Sequence, residues 1–565
     1  MTAQSPQNWL ARYAKNYHAW TAYTINGRNI YERSLGLVES SFDLDGTDYE
    51  GRADMNALFT LEIKHSFSSK VEFRHRIALA WTNLRLQHTL LMSRVCEDEE
   101  TGKRCFVVDV GQSAEEVIQK ATDNIVWVED IYPSVDSSEL HRHCQNVARI
   151  LDPTTCLSRL HVLPLIKLPN GNFELRFLLI MAHQISDGLT FYNWFRHFIR
   201  ILNMPASQIE EDIKSFRRED SIVSRLPPAQ EDLYPPIAGS QARQRWFWAI
   251  IRVLRHVRKS LPPTFTNPLR RKQRAPFMPL PPTFDKLLDY SKARQPPMNS
   301  FHVTASLSKT ASTRIIQLCR SINVSVGAGL YALAGIAMMD IEEQRHPEAE
   351  RRHFIASFPL NPRTFFGWTT PADSCMLAFS DGIAMPFLPS SLPLEGRLKL
   401  TARIANRQLR QYQKRLKTGQ VNISLGAHSP GRLLASGYLY AIERLEGRIP
   451  EDRKTGINPQ GELQASMNMA GATCGVSSVG STATFFKPGE YDLEAEGRDF
   501  IADYRDLRMG VRARDNEFLV GSSTNSNGIV GFGVSYDGCA ISEEAAKGWA
   551  RKIESLLEEE DRARL

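Results

Sequence analysis

The stretch FELRFLLIMAHQISDGLTFYNWF, residues 173–195, places a histidine between a buried strand and the start of a helix. Residues 177–182 form a short apolar run that predicts a strand, and the apolar residues after the bend recur at helical spacing. The bend itself falls on His183 to Gly188. A histidine at such an edge can face a cavity, while Asp187 stands where a helix N-cap is preferred and can accept backbone N–H groups.

The spacing of this histidine and aspartate is weak evidence when taken alone. The chain has 14 histidines, and about one His-x-x-x-Asp match is expected by chance in a chain of this composition. The position between a strand and a helix is what favours a functional site. The alternative is that His183 is a hydrogen-bonded core histidine and that Asp187 only caps a helix.

The composition predicts a globular protein with two packed subdomains. The chain has 565 residues, of which 42% are hydrophobic, and one hydrophobic core rarely organises so many. The net charge of +6 is small for this length, so no nucleic-acid partner is predicted. The eight cysteines stand singly, which predicts a reducing compartment and no metal site. The sequence has no run of apolar residues long enough for a signal peptide or a membrane span, so we expect a cytoplasmic protein.

The sequence divides into three parts. Residues 1–205 begin with alternating strand-like and helical patterns, which predict the N-terminal α/β subdomain carrying His183. Residues 206–300 are rich in proline and basic residues, and we interpret them as a crossover or insertion between the two halves. Residues 301–565 contain predicted helices, a hairpin and a final helix opened by Ser542, and they form the predicted C-terminal subdomain.

Two basic helices are predicted outside the motif. RQRWFWAIIRVLRHVRKSL, residues 243–261, lies within the crossover and is amphipathic. It either lies on a membrane surface or packs across the two subdomains or at the edge of the substrate opening, and we favour the second alternative. LKLTARIANRQLRQYQKRLK, residues 398–417, is rich in arginine and lysine. We interpret its charges as a solvated face rather than a phosphate-binding site.

An apolar strand, His183-x-x-x-Asp187-Gly188 and a helix together resemble the hallmark of one acyltransferase superfamily. That superfamily contains chloramphenicol acetyltransferase, the condensation domains of peptide synthetases and the plant BAHD acyltransferases. Three further stretches resemble it in the right order, namely LRLQHTLL (84–91), PLNPR (359–363) and GVSSVGST (475–482). Within the superfamily, the chain length, ERSLGLVE (32–39) and the crossover are most similar to the fungal trichothecene 15-O-acetyltransferases and their secondary-metabolite relatives.

Two departures from the family patterns limit what the resemblance implies. Ala182 stands where condensation domains have the first histidine of HHxxxDG, and the DFGWG motif of the BAHD enzymes is absent from the sequence. The resemblance implies an α/β fold of the α+β sandwich type. It also implies two chloramphenicol acetyltransferase-like subdomains with the active site in a tunnel at their interface.

The resemblance also implies a chemistry. His183 is the expected general base, since a neutral imidazole with a pKa near physiological pH can take the proton of an attacking hydroxyl. Asp187 is expected to be structural and to pair with Arg363. The resemblance also implies a hydrogen-bond donor to the oxyanion of the tetrahedral intermediate and contacts to substrate. The candidates are the hydroxyl residues of the family-like stretch and the glycine after the aspartate, namely Ser477, Ser478, Ser481, Thr482 and Gly188. The alternative is that the hydroxyl residues are ordinary residues at the end of a strand.

The predicted function is an acetyl-CoA-dependent O-acetyltransferase that esterifies a hydroxyl of a fungal secondary metabolite such as a trichothecene-like terpenoid. The partners expected are a small-molecule alcohol acceptor and a coenzyme A thioester donor, which react in a ternary complex. No bound cofactor is expected, because acetyl-CoA is a co-substrate, and the protein is expected to be a monomer without a transmembrane segment. The alternatives are a condensation-type amide or ester synthase with a carrier-protein donor, or a non-catalytic binding protein on the same scaffold.

Overall fold

The structure is a computed structural model, in which residues 9–98, 102–290, 299–366, 370–412, 429–466 and 471–558 are described. The strands are β1 (Thr21–Ile25), β2 (Arg28–Ser34), β3 (Met55–His65), β4 (Arg94–Glu97), β5 (Arg104–Asp109), β6 (Ile125–Trp127), β7 (Ser158–Val162), β8 (Ile166–Lys167), β9 (Phe173–Met181), β10 (Ser300–Ser306), β11 (Phe354–Ser357), β12 (Pro359–Leu360), β13 (Ala378–Phe379), β14 (Ile383–Met385), β15 (Cys474–Ser481), β16 (Phe500–Val511), β17 (Phe518–Thr524) and β18 (Val530–Asp537). The helices are α1 (Leu37–Asp48), α2 (Lys70–Gln87), α3 (Ala114–Thr122), α4 (Ser137–Cys144), α5 (Gly188–Leu202), α6 (Ala206–Phe216), α7 (Glu219–Val223), α8 (Gln241–His256), α9 (Lys309–Ser321), α10 (Val326–Arg345), α11 (Leu394–Tyr412), α12 (Pro430–Arg448) and α13 (Glu543–Ser555).

Two six-stranded sheets organise the chain. The first has the order β16-β3-β9-β7-β6, with β8 paired to β9, and the second has the order β10-β18-β17-β15-β11-β14. Strand β9, which leads into the motif, is buried over most of its length because β3 and β7 flank it and helices cover the sheet. Each sheet has its own hydrophobic core, one built around α2 and α5 and the other around α10 and α13.

Strand β16 connects the two halves. It belongs to the second half of the sequence, yet it pairs antiparallel with β3 along its whole length, from Phe500 opposite His65 to Val511 opposite Met55. The first sheet is therefore completed by a strand that comes about 300 residues later in the chain than most of its neighbours. The subdomain boundaries at 205 and 300 stay predictions, but the order of the strands in space does not follow their order in sequence.

The described part of the crossover, residues 206–290 and 299–300, contains three helices. Helices α6 and α7 lie at its start, and residues of both belong to the first core. The predicted amphipathic helix is α8, and it buries Phe247, Trp248 and Ile251 in a third cluster. That cluster also contains Tyr13 from the first half and Tyr438 from α12. Helix α8 therefore packs between the two halves, although Trp246 on its other face is exposed.

Among the described helices, no single one is long and apolar enough to cross a membrane. Helices α9 and α10 meet such a criterion only as a pair, and they are bent by 116° at their junction.

Candidate active site

The motif has the local structure that its sequence predicts. Strand β9 ends at Met181, the buried Ala182 follows, and His183 begins a short 3-10 turn before α5. Asp187 is the N-cap of α5, where its Oδ1 accepts the backbone N–H of Thr190 at 3.0 Å. The cap fixes the direction in which the helix leaves the turn and so fixes the position of the histidine relative to the sheet.

Asp187 and Arg363 are in contact across the two halves of the sequence. The Nη2 of Arg363 lies 2.8 Å from the Oδ2 of Asp187, and both side chains are almost completely buried. The same carboxylate oxygen accepts the backbone N–H of Met376 at 3.0 Å. Nη2 also donates to the carbonyl of Ser374 at 2.6 Å and to the hydroxyl of Thr190 at 3.1 Å. The two buried charges are thus paired and hydrogen-bonded, which is the condition for such a pair to be stable.

Arg363 lies in a short 3-10 turn rather than in a strand. Strand β12 ends at Leu360, and the turn Pro362–Phe365 follows. Pro362 has no N–H to continue a strand ladder, and the side chain of Asn361 accepts the backbone N–H of Arg363 at 3.1 Å. The family-like PLNPR segment therefore turns the arginine towards α5 instead of extending the sheet.

The imidazole of His183 is held between two elements that are remote in sequence. The ring of Phe42, on α1, stacks on it with a centroid distance of 3.9 Å and an interplanar angle of 1°. The Sγ of Cys375 lies 4.0 Å from its Nδ1. Cys375 precedes Met376, whose N–H binds Asp187, so one segment contacts both residues of the motif. Taken as a whole residue, His183 is half-buried.

His183 is suited to act as a base at neutral pH. Burial lowers the pKa of His183 from its ordinary value of 6.5, and the positive charge of Arg514 acts in the same direction. The backbone carbonyls of His183 and Ser186 and the charge of Asp187 oppose this shift without cancelling it. The imidazole is therefore neutral near pH 7 and can accept a proton.

A second buried charge cluster fixes α1 beneath Phe42. Asp45 is fully buried, and the Nη2 of Arg514 lies 2.7 Å from its Oδ2, while Arg448 pairs with the other oxygen. Burial alone would raise the pKa of Asp45, but the guanidinium groups of Arg514 and Arg448 hold it below its usual value. The guanidinium of Arg514 also lies 6.0 Å from the centre of the Phe42 ring. The helix that carries the stacking ring is thus held by ion pairs.

Ser477, Ser478 and Ser481 lie in β15, which runs parallel to β17 with an irregularity after Ser478, and Thr482 begins the 3-10 turn that follows the strand. Ser481 accepts the N–H of Ala483, and Thr482 donates to the carbonyl of Thr524 at 3.4 Å. The Oγ of Ser478 is buried and has no hydrogen-bond partner among the described residues.

None of the four oxyanion candidates is hydrogen-bonded to His183 in the structure, and the half-buried Ser477 is bound through its carbonyl by the hydroxyl of Ser522. Gly188, the first residue of α5, has open space in front of it, since an added Cβ would meet only the Cε of Met509 at 4.0 Å. Within the described residues, no group of three or more His, Cys, Asp or Glu side chains is arranged to hold a metal.

Sequence reasoning missed the residues that position the imidazole. Phe42 and Cys375 lie 141 and 192 residues from His183 along the chain, and neither belongs to a recognisable pattern. Thr190 could have been found, because a residue three positions after an N-cap donates to it. Phe42 could not, because only the packing of α1 on the turn brings it there.

Comparison with known proteins gives structural neighbours but no close relative in sequence. No family model matches the chain, and no curated protein matches it significantly. Trichothecene 15-O-acetyltransferase from Fusarium sporotrichioides has a similar structure, with a TM-score of 0.64, 13% identity and 98% of both chains covered.

Condensation domains are also structural neighbours. The condensation domain of the monacolin K polyketide synthase MokA has a TM-score of 0.52 at 12% identity, over 95% of this chain and 97% of that one. The first condensation domain of the calcium-dependent antibiotic synthetase has a TM-score of 0.50 at 11% identity, over 93% and 96%. The predicted two-subdomain, chloramphenicol acetyltransferase-like fold is thus confirmed. At these identities the likeness shows the fold alone, so the tunnel and the trichothecene branch stay predictions.

Proposed function

We propose that the protein is an acyltransferase that moves an acetyl group from acetyl-CoA to a hydroxyl of a small, largely apolar metabolite, with His183 as general base. The main support for this proposal is the environment of His183. His183 is a half-buried residue whose imidazole has a lowered pKa, stacks on Phe42 and lies beside a segment that the buried Asp187–Arg363 pair holds in place. A merely structural histidine would not need to be neutral and oriented at once.

The reaction balances with these groups alone. The acceptor oxygen attacks the thioester carbonyl while the Nε2 of His183 takes the hydroxyl proton, and a new C–O bond forms. The tetrahedral oxyanion then collapses, the C–S bond breaks, and the protonated imidazole returns its proton to the sulfur of coenzyme A. Because Nε2 has no hydrogen-bond partner among the described residues, it is the nitrogen that remains for the substrate.

Ser478 is the oxyanion donor that we favour among the four hydroxyls. Its Oγ is buried and without a partner among the described residues, whereas Ser481 and Thr482 are already engaged in local hydrogen bonds. A buried hydroxyl without a partner is costly unless a ligand completes it. In measured enzymes, the loss of one such donor costs about 3 kcal/mol of transition-state stabilisation.

The identities of the acyl donor and of the hydroxyl acceptor are proposals that rest on the similarity to known structures. The neighbour from Fusarium sporotrichioides is an acetyltransferase by name, and its structure is similar over 98% of both chains. The condensation domains are similar over more than nine-tenths of this chain and support the alternative of a carrier-bound acyl donor. We keep the cytoplasmic location, the monomeric state and the absence of a bound cofactor as proposals on the same footing.

The test is acyl transfer by the purified protein. We expect labelled ester products from [¹⁴C]acetyl-CoA and a panel of hydroxylated terpenoids, separated by chromatography. The same panel is offered with an acetylated acyl carrier protein, and transfer from that donor alone would establish the condensation alternative. His183→Ala should abolish turnover and leave the melting temperature near that of the parent protein.

The matched control is His75→Ala. The side chain of His75 is mostly exposed, so its removal changes histidine content without touching the turn before α5. Equal activity of His183→Ala and the parent protein would remove His183 from the role of base. Absence of transfer from both donors in the parent protein would favour the non-catalytic alternative.

A further inference from the structure

A cavity of about 240 Å³ lies between the second half of α5 and residues 485–491. His197 lines it and is nine residues beyond the start of α5, which places it about 13 Å along the helix from the motif. The cavity does not include His183 and is therefore separate from the proposed catalytic site. Its volume is below the range of about 300–1,000 Å³ that is usual for complete small-molecule sites, so it fits a small ligand or one end of a larger ligand.

Three cations surround this cavity, namely Arg196, Arg200 and Lys487. Neither Arg196 nor Lys487 has an ion-pair partner among the described residues, and Arg200 donates to the amide oxygen of Gln87 at 3.0 Å. A carboxylate in the wall, Asp503, is already occupied by the N–H groups of Gly489 and Tyr491 and by Arg505. The other, Glu490, is exposed. The cations therefore exceed the carboxylates that could neutralise them.

A chain of imidazoles supports the wall from behind. The Nδ1 of His197 is hydrogen-bonded to the Nε2 of the buried His88 at 2.8 Å, and the Nδ1 of His88 lies 3.1 Å from the Oδ1 of Asp373. The Nδ1 of His88 makes no hydrogen bond of good geometry among the described residues, so Asp373 acts on it through its charge. This charge favours the proton of His88 on Nδ1, and its Nε2 then accepts from His197. The Nε2 of His197 then remains for the cavity, and it has no partner among the described residues.

The surroundings of His197 hold its imidazole in the neutral form at pH 7. Burial lowers the pKa of His197 to about 4, and the charges of Arg200 and Arg196 contribute in the same direction, against the charge of Asp373. An anion bound beside the ring would favour the charged form, in which both ring nitrogens donate. The carboxylate of Asp373, at the other end of the chain, would then balance the new positive charge.

We propose that this cavity binds the phosphate group of a phosphorylated ligand, which contacts Arg196, Arg200 and Lys487 and accepts a hydrogen bond from the Nε2 of His197. Phosphate fits the wall because it carries enough charge and enough acceptor oxygens to engage several cations at once. The half-buried rings of Phe485 and Tyr504, which also line the cavity, offer an apolar surface for the rest of such a ligand. This site does not depend on the proposed acetyl transfer.

The test is direct binding by isothermal titration calorimetry, with inorganic phosphate and 3′-phosphoadenosine 5′-phosphate as probes. We expect the double variant Arg196→Ala/Lys487→Ala to bind at least about tenfold more weakly, because two charge-assisted contacts are lost. The matched control is Arg403→Ala/Arg407→Ala, which removes two exposed arginines from α11 near a different, shallower cavity. Both pairs are exposed, so folding should be unaffected.

His197 provides an independent readout. Because the free imidazole has a pKa of about 4 and a bound anion raises it, the affinity for phosphate should fall as the pH rises from 4.5 to 7 more steeply in the parent protein than in His197→Gln. Comparing the two proteins removes the titration of phosphate itself. No binding of either probe, or a loss in the α11 control with none in the Arg196/Lys487 variant, would overturn the proposal. So would equal pH dependence of the parent protein and His197→Gln.

Transfer assays with two acyl donors, acetyl-CoA and acetyl-pantetheine, then identify which ligand carries the phosphate group. If the Arg196/Lys487 variant loses transfer from acetyl-CoA but keeps transfer from acetyl-pantetheine, the cavity takes the nucleotide end of the donor. If it loses phosphate binding and keeps transfer from both donors, the cavity takes a separate phosphate ester. If the protein transfers no acetyl group at all, the calorimetry still decides the binding site, because it does not require turnover.

Discussion

The substitution Asp187→Asn isolates the charge in the buried pair that joins the two halves. Asparagine is as good an N-cap as aspartate, so its amide oxygen can still accept the N–H of Thr190. In the parent protein the guanidinium of Arg363 and the N–H of Met376 share the Oδ2 of Asp187, and both would lose this acceptor in the variant. An uncompensated buried charge costs about 3–5 kcal/mol, and we expect a loss of stability in this range. Asp187→Ala should cost about 1 kcal/mol more, because the cap is lost as well.

Urea unfolding followed by tryptophan fluorescence measures this loss, and hydrogen exchange localises it. We expect faster exchange at the start of α5 and in residues 371–376, which the pair connects, and unchanged exchange in α13. A double-mutant cycle with Arg363→Met separates the pair from other effects. The double variant should be no less stable than Asp187→Asn, because both charges are then gone.

Two outcomes would contradict an energetic role of the Asp187–Arg363 pair. A loss below about 1 kcal/mol for Asp187→Asn would place the pair in the class of exposed ion pairs. Additive losses in the double variant would show that the two side chains do not interact energetically. Either outcome would leave the position of α5 to the N-cap and the apolar packing alone.

Three further predictions follow from the same geometry. Because the pKa of His183 is lowered, the acid limb of kcat/KM against pH should have an apparent pKa below 6.5 and the rate should level off above it, whereas a limb centred above 7 would contradict His183 as base. Phe42→Leu should lower kcat about fivefold with little change in KM, since aromatic stacking of about 1 kcal/mol orients the imidazole, and a rise in KM alone would show that Phe42 contacts substrate instead. Burial lowers the pKa of His302 from 6.5 to about 4, so the unfolded chain binds the proton first, and stability should be lost as pH falls from 6.5 to 4, by about 2 kcal/mol at pH 5. The loss of unfolding free energy between pH 7 and pH 5, measured by urea unfolding, should be smaller in His302→Gln than in the parent protein, and an equal loss in both proteins would contradict this assignment.

The local structure of the motif could be predicted because it depends on residues that are neighbours in the sequence. An apolar run that ends at Met181 and helical spacing after Gly188 leave one place for a bend, and a carboxylate at that place can cap the helix. The pairing of Asp187 with Arg363 has a different origin. The two residues are 176 positions apart in the sequence, so no spacing rule connects them, and only the resemblance to a family suggested the contact.

The remaining contacts depend on tertiary packing that no local pattern encodes. Strand β16 carries charged residues such as Arg505 and Arg508 on an edge position, so its sequence does not resemble a buried strand, and its register against β3 is fixed only by the folded sheets. Phe42 lies on a helix with several buried carboxylates, which by composition alone would be exposed. The partners of one of them, Asp45, are Arg448 and Arg514, which lie more than 400 residues away in the sequence.

The position of His183 follows from three elements that are remote in sequence, and this arrangement has a kinetic consequence. Strand β9 and α5 place the turn, α1 stacks Phe42 on the ring, and the segment with Cys375 and Met376 contacts both the ring and Asp187. A general base that is displaced by about 1 Å loses much of its effect, because proton transfer requires a near-attack geometry. Loosening any of the three elements should therefore lower kcat before it lowers substrate affinity, even though none of them need touch the substrate. The aspartate of the motif then contributes to catalysis only through the position of the histidine, and its partner arginine does so from the other half of the chain.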